Sequence, residues 1–443
     1  MNRLAAALFC LLLPASGAQA QLRLPGGIGL SRLPMTVDPL LRAPAQALST
    51  VERLREEVPL QDLRRSTARA LLRRHRDEVE ADPAGEPVRR GQLLLWSPRA
   101  ETLEAAGALG YALLSDQRLE GLDERRVSLR PPRGMALAEA LQRLRALDAA
   151  LEVDFNHLYQ RSGDVGGPAT APAPAPAAAA AASAALGSGP ARRVGLVDSG
   201  VDSRHPALRA ASLRAWGCED GRKPSAHGTA VASLLVGRES GFAGSAPEAT
   251  LYAADIYCGS DTGGGVDGIV QALAWLARER VAVINISLVG PPNRVLERAV
   301  ATLLARGHVL VAAVGNDGPA APPLYPAAYP GVVGVTGVNS ARAVLPEAAR
   351  GPQVVFAAPG ADLAAALAGG RSYSAVRGTS FAAPLVAGLL AVGLDAPDPV
   401  GAAAAVAALA GRATDLGAPG RDPVFGHGLV GETLQTPMTR APR

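Results

Sequence analysis

The stretch Val194-Gly195-Leu196-Val197-Asp198-Ser199-Gly200 determines the fold predicted for this 443-residue chain. Apolar residues that end on a carboxylate and a small turn are typical of a buried strand that stops at the edge of a sheet. From this point to residue 410, strand-like apolar runs alternate with helix-like segments. Such alternation favours a parallel sheet with helices on both faces. We therefore predict one α/β domain over residues 191–435.

Two further motifs in this domain carry candidate reactive side chains. His227 stands at the start of a predicted helix of small residues, where Gly228 would let another backbone approach closely. Ser380 opens another helix, where unpaired backbone N–H groups favour negative charge. Each residue also has an ordinary alternative. Asp198 could be a turn former, Ser380 could be a helix N-cap, and His205 is a rival histidine close to Asp198 in sequence.

The three motifs together point to one chemistry. Asp198, His227 and Ser380 follow one another in the order of the catalytic triad of the subtilisin-like serine protease (subtilase) family. Residues 192–432 resemble that family. Its other landmarks in this chain are Val309–Asn316, Ile284–Leu288, Tyr329-Pro330, Ala358–Gly360 and Gly426–Val430. The resemblance implies a subtilisin-like three-layer α/β domain with a mainly parallel sheet.

The resemblance also implies a role for each residue of the candidate site. Ser380 would attack the carbonyl carbon of a peptide bond, and His227 would take its proton and pass it to the leaving amine. Asp198 would orient the imidazole and stabilise its charged form. Asn316, at the end of Val309–Asn316, would donate a hydrogen bond to the developing oxyanion. The chain is then expected to be a serine endopeptidase.

Substrate binding is expected as a strand added to the edge of the cleft, which fixes the peptide main chain. By resemblance, the binding residues are Ser287, Leu288, Val289, Gly290, Ala313 and Gly315. Val289 stands where the best-known members carry glycine. Its branched side chain predicts a narrower pocket, and hence small or medium residues immediately before the cut bond.

The chain before this domain divides into three predicted parts. Residues 21–90 form a Pro- and Arg-rich extension that is partly helical. Residues 91–160 have the order βαββαβ, which is typical of a ferredoxin-like α+β fold and resembles the inhibitory prodomain of the family. Residues 161–190 are an Ala/Pro/Gly-rich linker. We expect a self-processing precursor, cut soon after Tyr159 or within the linker.

Residues 1–20 have the pattern of a secretory signal peptide, with Arg3, a short apolar run and a small-residue cleavage site. An uncleaved membrane anchor is the alternative, although the apolar run is shorter than the ~20 residues a membrane-spanning helix needs. We expect a secreted or periplasmic protein with no membrane span in its mature form. Cys10 would leave with the signal. Cys218 and Cys258 remain, as a disulfide or as two buried thiols.

Composition excludes several other functions. A formal net charge of +4, with Lys223 as the sole lysine and no basic run with interleaved aromatics, argues against nucleic-acid binding. No cofactor is expected. Members of the family commonly bind calcium, but this sequence gives no clear calcium site. Two alternative functions are a catalytically silent homologue that binds or chaperones, and an esterase. Ser380 lacks the Gly-x-Ser-x-Gly context and the chain order of an esterase.

Overall fold

The structure is a computed structural model that describes residues 60–161, 163–165, 192–218 and 223–442. These residues belong to one compact unit, Pro59–Arg443. The predicted signal peptide, the extension before residue 60 and nearly all of the predicted linker lie outside the described residues.

The helices and strands follow one another in three groups. The first group is α1 (Leu60–Arg74), β1 (Val79–Ala81), β2 (Pro87–Trp96), α2 (Ala100–Ala108), β3 (Ala112–Leu119), β4 (Glu124–Arg130), α3 (Leu137–Leu147), β5 (Glu152–Arg161) and β6 (Asp164–Val165). The second is β7 (Arg193–Asp198), α4 (Pro206–Arg209), β8 (Leu213–Trp216), α5 (Ala226–Val236), β9 (Arg238–Glu239), β10 (Phe242–Ala243), β11 (Thr250–Asp255), β12 (Gly264–Gly265), α6 (Val266–Arg278), β13 (Val283–Ile286) and β14 (Leu288–Val289). The third is α7 (Arg294–Ala305), β15 (Val309–Ala313), β16 (Val333–Val338), β17 (Val354–Pro359), β18 (Leu363–Ala366), β19 (Tyr373–Arg377), α8 (Thr379–Ala391) and α9 (Pro399–Ala410), followed by 3₁₀ turns at Glu432–Leu434 and Met438–Arg440.

The central sheet of the larger domain has seven strands in the order β17-β16-β15-β13-β7-β11-β8. All neighbours are parallel. The interior strands are buried on both faces, as in β15, where every residue is buried. This double burial explains why they are continuous apolar runs in the sequence rather than alternating patterns. The carboxyl ends of β7, β13 and β15 therefore meet at one edge of the sheet.

Helices cover both faces of this sheet. One apolar cluster joins the sheet to α5 and α8, which are themselves made of small and aliphatic residues, and another joins it to α6 and α7. The predicted three-layer α/β architecture is confirmed. In α3, Leu137, Leu141 and Leu144 are buried on one face, as in an amphipathic helix.

The smaller N-terminal sheet is antiparallel, with the order β3-β4-β2-β5. Helices α2 and α3 pack on one face and enclose a separate apolar core. The other face contributes Leu94, Trp96 and Tyr159 to the apolar cluster around α6 and α7. This is the ferredoxin-like order that the sequence predicts. However, β2 begins at Pro87 and pairs with β1, so the predicted boundary at residue 91 falls inside a strand.

The extension contributes α1, whose Arg64, near the start of the helix, takes part in a three-way ion cluster. Arg64 donates to Glu86 Oε2 at 3.1 Å and to Asp317 Oδ2 at 3.2 Å. Burial by itself would lower the pKa of Arg64, but the two carboxylates raise it on balance. One guanidinium thus joins the extension, the ferredoxin-like sheet and the larger domain. Among the described residues, none of the helices combines the length and apolarity needed to cross a membrane.

Candidate active site

Asp198 and His227 meet at the carboxyl edge of the central sheet. Strand β7 ends at Asp198, and His227 lies in the first turn of α5. His227 Nδ1 is 2.9 Å from Asp198 Oδ1, and both side chains are buried. The backbone N–H of Ser199 donates to the same oxygen at 2.6 Å. Because a carboxylate only accepts, Nδ1 carries the proton and Nε2 presents its lone pair.

Gly228 allows this pair to form. A Cβ at Gly228 would lie 2.1 Å from the carbonyl oxygen of Ser199. Any side chain there would push α5 away from the end of β7, and with it His227 away from Asp198. The close backbone approach predicted at Gly228 is confirmed.

Two reciprocal hydrogen bonds join Ser380, at the start of α8, to Ser287, which directly follows β13. The Ser380 hydroxyl donates to Ser287 O at 3.4 Å, while Ser287 Oγ donates to Ser380 O at 3.0 Å. His227 Nε2 is buried and has no hydrogen-bonding partner among the described residues. Hydroxyl and imidazole are therefore not bonded to each other here. Such open geometry is common at sites of this kind before the reacting complex forms.

Asn316 lies just after β15, on the same side of the cleft as the start of α8. Its Oδ1 accepts a hydrogen bond from Thr379 N at 3.1 Å, which fixes the plane of the amide. Gly378 has a φ of 135°, and a Cβ there would lie 3.0 Å from Asn316 Nδ2 and 2.7 Å from Gly163 Cα. Glycine at this position keeps the space between the amide and the chain at Gly163 open.

His205, the rival histidine, has a different position. Its Nδ1 accepts from Ala207 N at 3.2 Å, which caps the short helix α4. Its Nε2 is 3.1 Å from Ser372 O, and its ring packs edge-on against Tyr373. The ring is completely buried, and both of its nitrogens are used in local structure.

Strand β5 of the N-terminal sheet occupies the cleft of the larger domain. On one side it pairs antiparallel with β12, matching Tyr159 to Gly264. On the other side it pairs antiparallel with β14, matching Gln160 to Val289 and Arg161 to Leu288. The chain's own strand thus lies between two edges, in the manner expected of an added peptide strand.

Tyr159 anchors this strand. The ring is fully buried and packs against Gly290, and its hydroxyl donates to Pro291 O at 2.5 Å. Tyr257 donates from its own hydroxyl to Tyr159 O at 3.2 Å. Burial is the main cause that raises the pKa of both phenols well above the ordinary value, so both remain neutral donors.

Residues 163–165 lie beside the start of α8. Gly163 lies close to the Phe381 ring and to Arg377 O. Strand β6 then pairs antiparallel with β19, matching Asp164 to Arg377 and Val165 to Val376. These residues belong to the predicted linker, whose start therefore forms a strand. Arg161, which pairs with Leu288, and Gly163, which lies beside Phe381, are thus both next to residues of the candidate site.

The predicted binding residues fall into two groups. Leu288, Val289 and Gly290 contact or pair with β5, and Ser287 bonds to Ser380. Ala313 is buried at the end of β15, and Gly315 N donates to Thr379 Oγ1 at 3.2 Å. The structure thus places Ala313 and Gly315 beside the start of α8 rather than against the strand in the cleft. The effect of Val289 on specificity stays a prediction.

Sequence reasoning missed the second edge of the cleft. Strand β12 and the side chains of Tyr257 and Ser225 all contact β5, yet none was singled out. The run of glycines that ends at Gly265 is the sequence signal that indicates this edge. Glycine in a strand often marks a place where another backbone approaches closely.

Cys218 and Cys258 are bonded to each other next to the cleft. The Cα atoms are 5.2 Å apart, and the two cysteines follow the parallel neighbours β8 and β11. Of the described residues, only Cys218, Cys258 and Asp255 form a group of metal-binding types close enough to hold an ion. Both sulfurs are used in the disulfide, so this group does not form a metal site.

Replacing both cysteines with serine in a Ser380→Ala background should lower the free energy of unfolding by about 2–4 kcal/mol, because the bond closes a loop with a separation of 40 residues. The Ser380→Ala background should prevent self-digestion during urea unfolding. Reducing agent should destabilise the protein with both cysteines intact and leave the double variant unchanged. Equal urea midpoints with and without the cysteines would contradict this prediction.

The fold and these contacts define a class of site. A buried Asp–His pair and a helix-borne serine stand at the carboxyl edge of a parallel sheet, beside a cleft that holds an extended chain. This is the class of site that nucleophilic serine chemistry on polypeptides requires.

Comparison with known proteins identifies the family. The model of the subtilase family matches residues 189–428. The minor extracellular protease Epr of Bacillus subtilis is 31% identical over 243 residues, which are 54% of this chain but 37% of Epr. A subtilisin of Bacillus pumilus is 35% identical over 210 residues, which are 45% of this chain and 75% of that protein. The chain belongs to the subtilase family of subtilisin-like serine proteases, as the sequence motifs predict.

A solved structure supports the fold over a longer part of the chain. Fervidolysin from Fervidobacterium pennivorans, described as a keratinolytic enzyme related to subtilisin, has a TM-score of 0.65 and 22% sequence identity. The match covers 82% of this chain and 62% of fervidolysin. At this identity the likeness concerns the fold.

Proposed function

We propose that this protein is a secreted or periplasmic serine endopeptidase, made as a precursor that its own ferredoxin-like domain inhibits and that cuts itself. The hydrogen bond between His227 and Asp198, beside a cleft filled by the chain's own strand, carries the proposal. The family supports the peptidase activity. The signal-like residues 1–20 support export.

The proposed chemistry assigns one proton path. His227 Nε2 takes the proton of Ser380 as Oγ bonds to the peptide carbonyl carbon. Asn316 and the Ser380 backbone N–H donate to the oxyanion. The tetrahedral species collapses when Nε2 returns the proton to the amine, which leaves. Water then attacks the acyl group by the same path, and Ser380 is regenerated.

The same cleft supports an inhibitory role for residues 91–160. Strand β5 pairs on both sides, and Tyr159 fills a buried pocket, so a second polypeptide could not lie in this cleft at the same time. The chain pairs again at β6, with Gly163 beside Phe381, which supports a substrate-like course of the chain at this cleft. We therefore propose that the precursor is its own first substrate.

N-terminal sequencing of the enzyme shortly after it forms should locate the first cut between Arg161 and Gly163. We expect Gly163 as the new first residue, because β5 and β6 bind the chain on the two sides of this point. A new N terminus at Ser162 would move the cut by one bond within the same segment. A first cut inside residues 166–191 would contradict the proposal that β5 and β6 position the cut bond.

A catalytically silent homologue remains the alternative function. A fluorophosphonate probe separates the two, because it forms a covalent bond only with an activated serine. Labelling that appears after the first cut and is absent from the Ser380→Ala protein supports the peptidase. A processed, folded protein that the probe does not label would favour the silent homologue.

A further inference from the structure

We propose that this cleft selects polypeptides with arginine or lysine at the second position before the cut bond, held by a cation site made of Tyr257 and Ser225. The inference rests on the proposed peptidase function. It names the substrate class through Arg161, the residue of the chain's own strand that lies at this position when the cut falls between Ser162 and Gly163.

Arg161 makes two directed contacts with the larger domain. Its guanidinium carbon lies 5.2 Å from the centre of the Tyr257 ring, within the range of a cation–π contact. Its Nη1 donates to Ser225 Oγ at 3.0 Å. Successive side chains of a strand alternate between faces, so Arg161 lies on the same face of β5 as Tyr159.

The turn that carries the tyrosine platform is fixed by contacts within the larger domain. With β5 in the cleft, Tyr257 is 4% exposed, and its hydroxyl donates to Tyr159 O of that strand. Its backbone N–H donates to Asp255 Oδ1 at 3.0 Å, and so does that of Cys258 at 2.9 Å. The disulfide from Cys258 to Cys218 ties the same turn to β8. The ring therefore presents a fixed face to the strand in the cleft.

The charge around the platform favours a cation. Asp255 Oδ2 is buried and has no hydrogen-bonding partner among the described residues. Burial raises the pKa of Asp255 on balance, although the backbone N–H groups of Cys258 and Tyr257 lower it. The negative charge of Asp198 raises this pKa by a smaller amount, and the positive charge of Arg161 lowers it. An arginine in the cleft thus stabilises the charged form of Asp255, whereas a carboxylate at that position would be repelled by it.

The test uses peptides with the sequence of residues 157–167, with Arg161 kept or replaced by Lys, Ala or Glu. For the active enzyme, we expect kcat/KM to fall by roughly two- to fivefold for the Ala peptide, from the size of an exposed cation–π contact, and further for the Glu peptide. The Lys peptide should lie between Arg and Ala. Tyr257→Leu should reduce the Arg-to-Ala ratio to near one, while Tyr257→Phe, which keeps the ring, should preserve it.

A second measurement does not need activity. In the full-length Ser380→Ala precursor, Arg161→Ala should speed amide exchange of residues 158–161 by up to about tenfold, and Arg161→Lys by less. Equal cleavage of the Arg and Ala peptides would overturn the cation site while the peptidase function stands. If the peptidase function fails and no peptide is cut, exchange decides the inference: Arg-dependent protection supports the site, and equal protection overturns it.

Discussion

A Ser380→Ala precursor should remain uncut. The hydroxyl is the proposed nucleophile, and its removal leaves His227 with no proton to take. In subtilisin, a relative of this protein, loss of the corresponding group lowers kcat by about 10⁶. We expect a loss of similar size in the rate of processing here. After incubation for days, gel electrophoresis should still show the full-length Ser380→Ala chain, while the unaltered protein is processed.

The control for this experiment is Ser340→Ala, which removes the hydroxyl of an exposed serine far from the cleft in sequence and should process normally. Adding a trace of active enzyme to the Ser380→Ala precursor tests whether a second molecule can make the cut. A Ser380→Ala precursor that cuts itself at the normal rate, in the absence of other protease, would refute self-processing by this serine.

Asn316→Ala should lower kcat by about 10²–10³ with little change in KM, because the lost N–H would act on the oxyanion rather than on the ground-state substrate. Initial rates on a peptide substrate over a range of concentrations give both constants. The protein should fold normally. Fluorophosphonate labelling that still reaches completion, only more slowly, would show this.

Asn316 also accepts a hydrogen bond from Thr379 N, so its removal could act by loosening the start of α8. Asn316→Asp provides the matched control, because aspartate keeps that acceptor and loses the N–H donor. Both variants should lose activity if donation is the role. Full activity in Asn316→Asp would show that the bond to Thr379 is what matters.

The sequence predicted those features that each lie within one short stretch. Asp198, His227 and Ser380 each lie in a motif of a few consecutive residues. The strands of the central sheet were found because they are continuous apolar runs. Boundaries at residue 91 and in the linker were less well placed, because β1 and β6 are too short to carry a pattern of their own.

What the sequence could not predict are the contacts between distant stretches. Strand β5 pairs with β12 and β14, and Arg64 meets Asp317, across long separations in the chain. Such contacts depend on the tertiary arrangement of the folded elements. A glycine run or a single arginine in the sequence does not indicate which distant residue it will contact. The role of Tyr257 could not be predicted for the same reason, because it depends on the contact between its ring and Arg161.

In the proposed precursor, the ion cluster at Arg64 would separate the cut from the release of the N-terminal piece. Hydrolysis between Arg161 and Gly163 would remove one covalent link and leave Arg64 paired with Asp317 and Tyr159 in its pocket. The N-terminal piece should therefore stay bound after the cut. Peptidase activity should accordingly lag behind cleavage, by an interval that the dissociation rate of this piece sets.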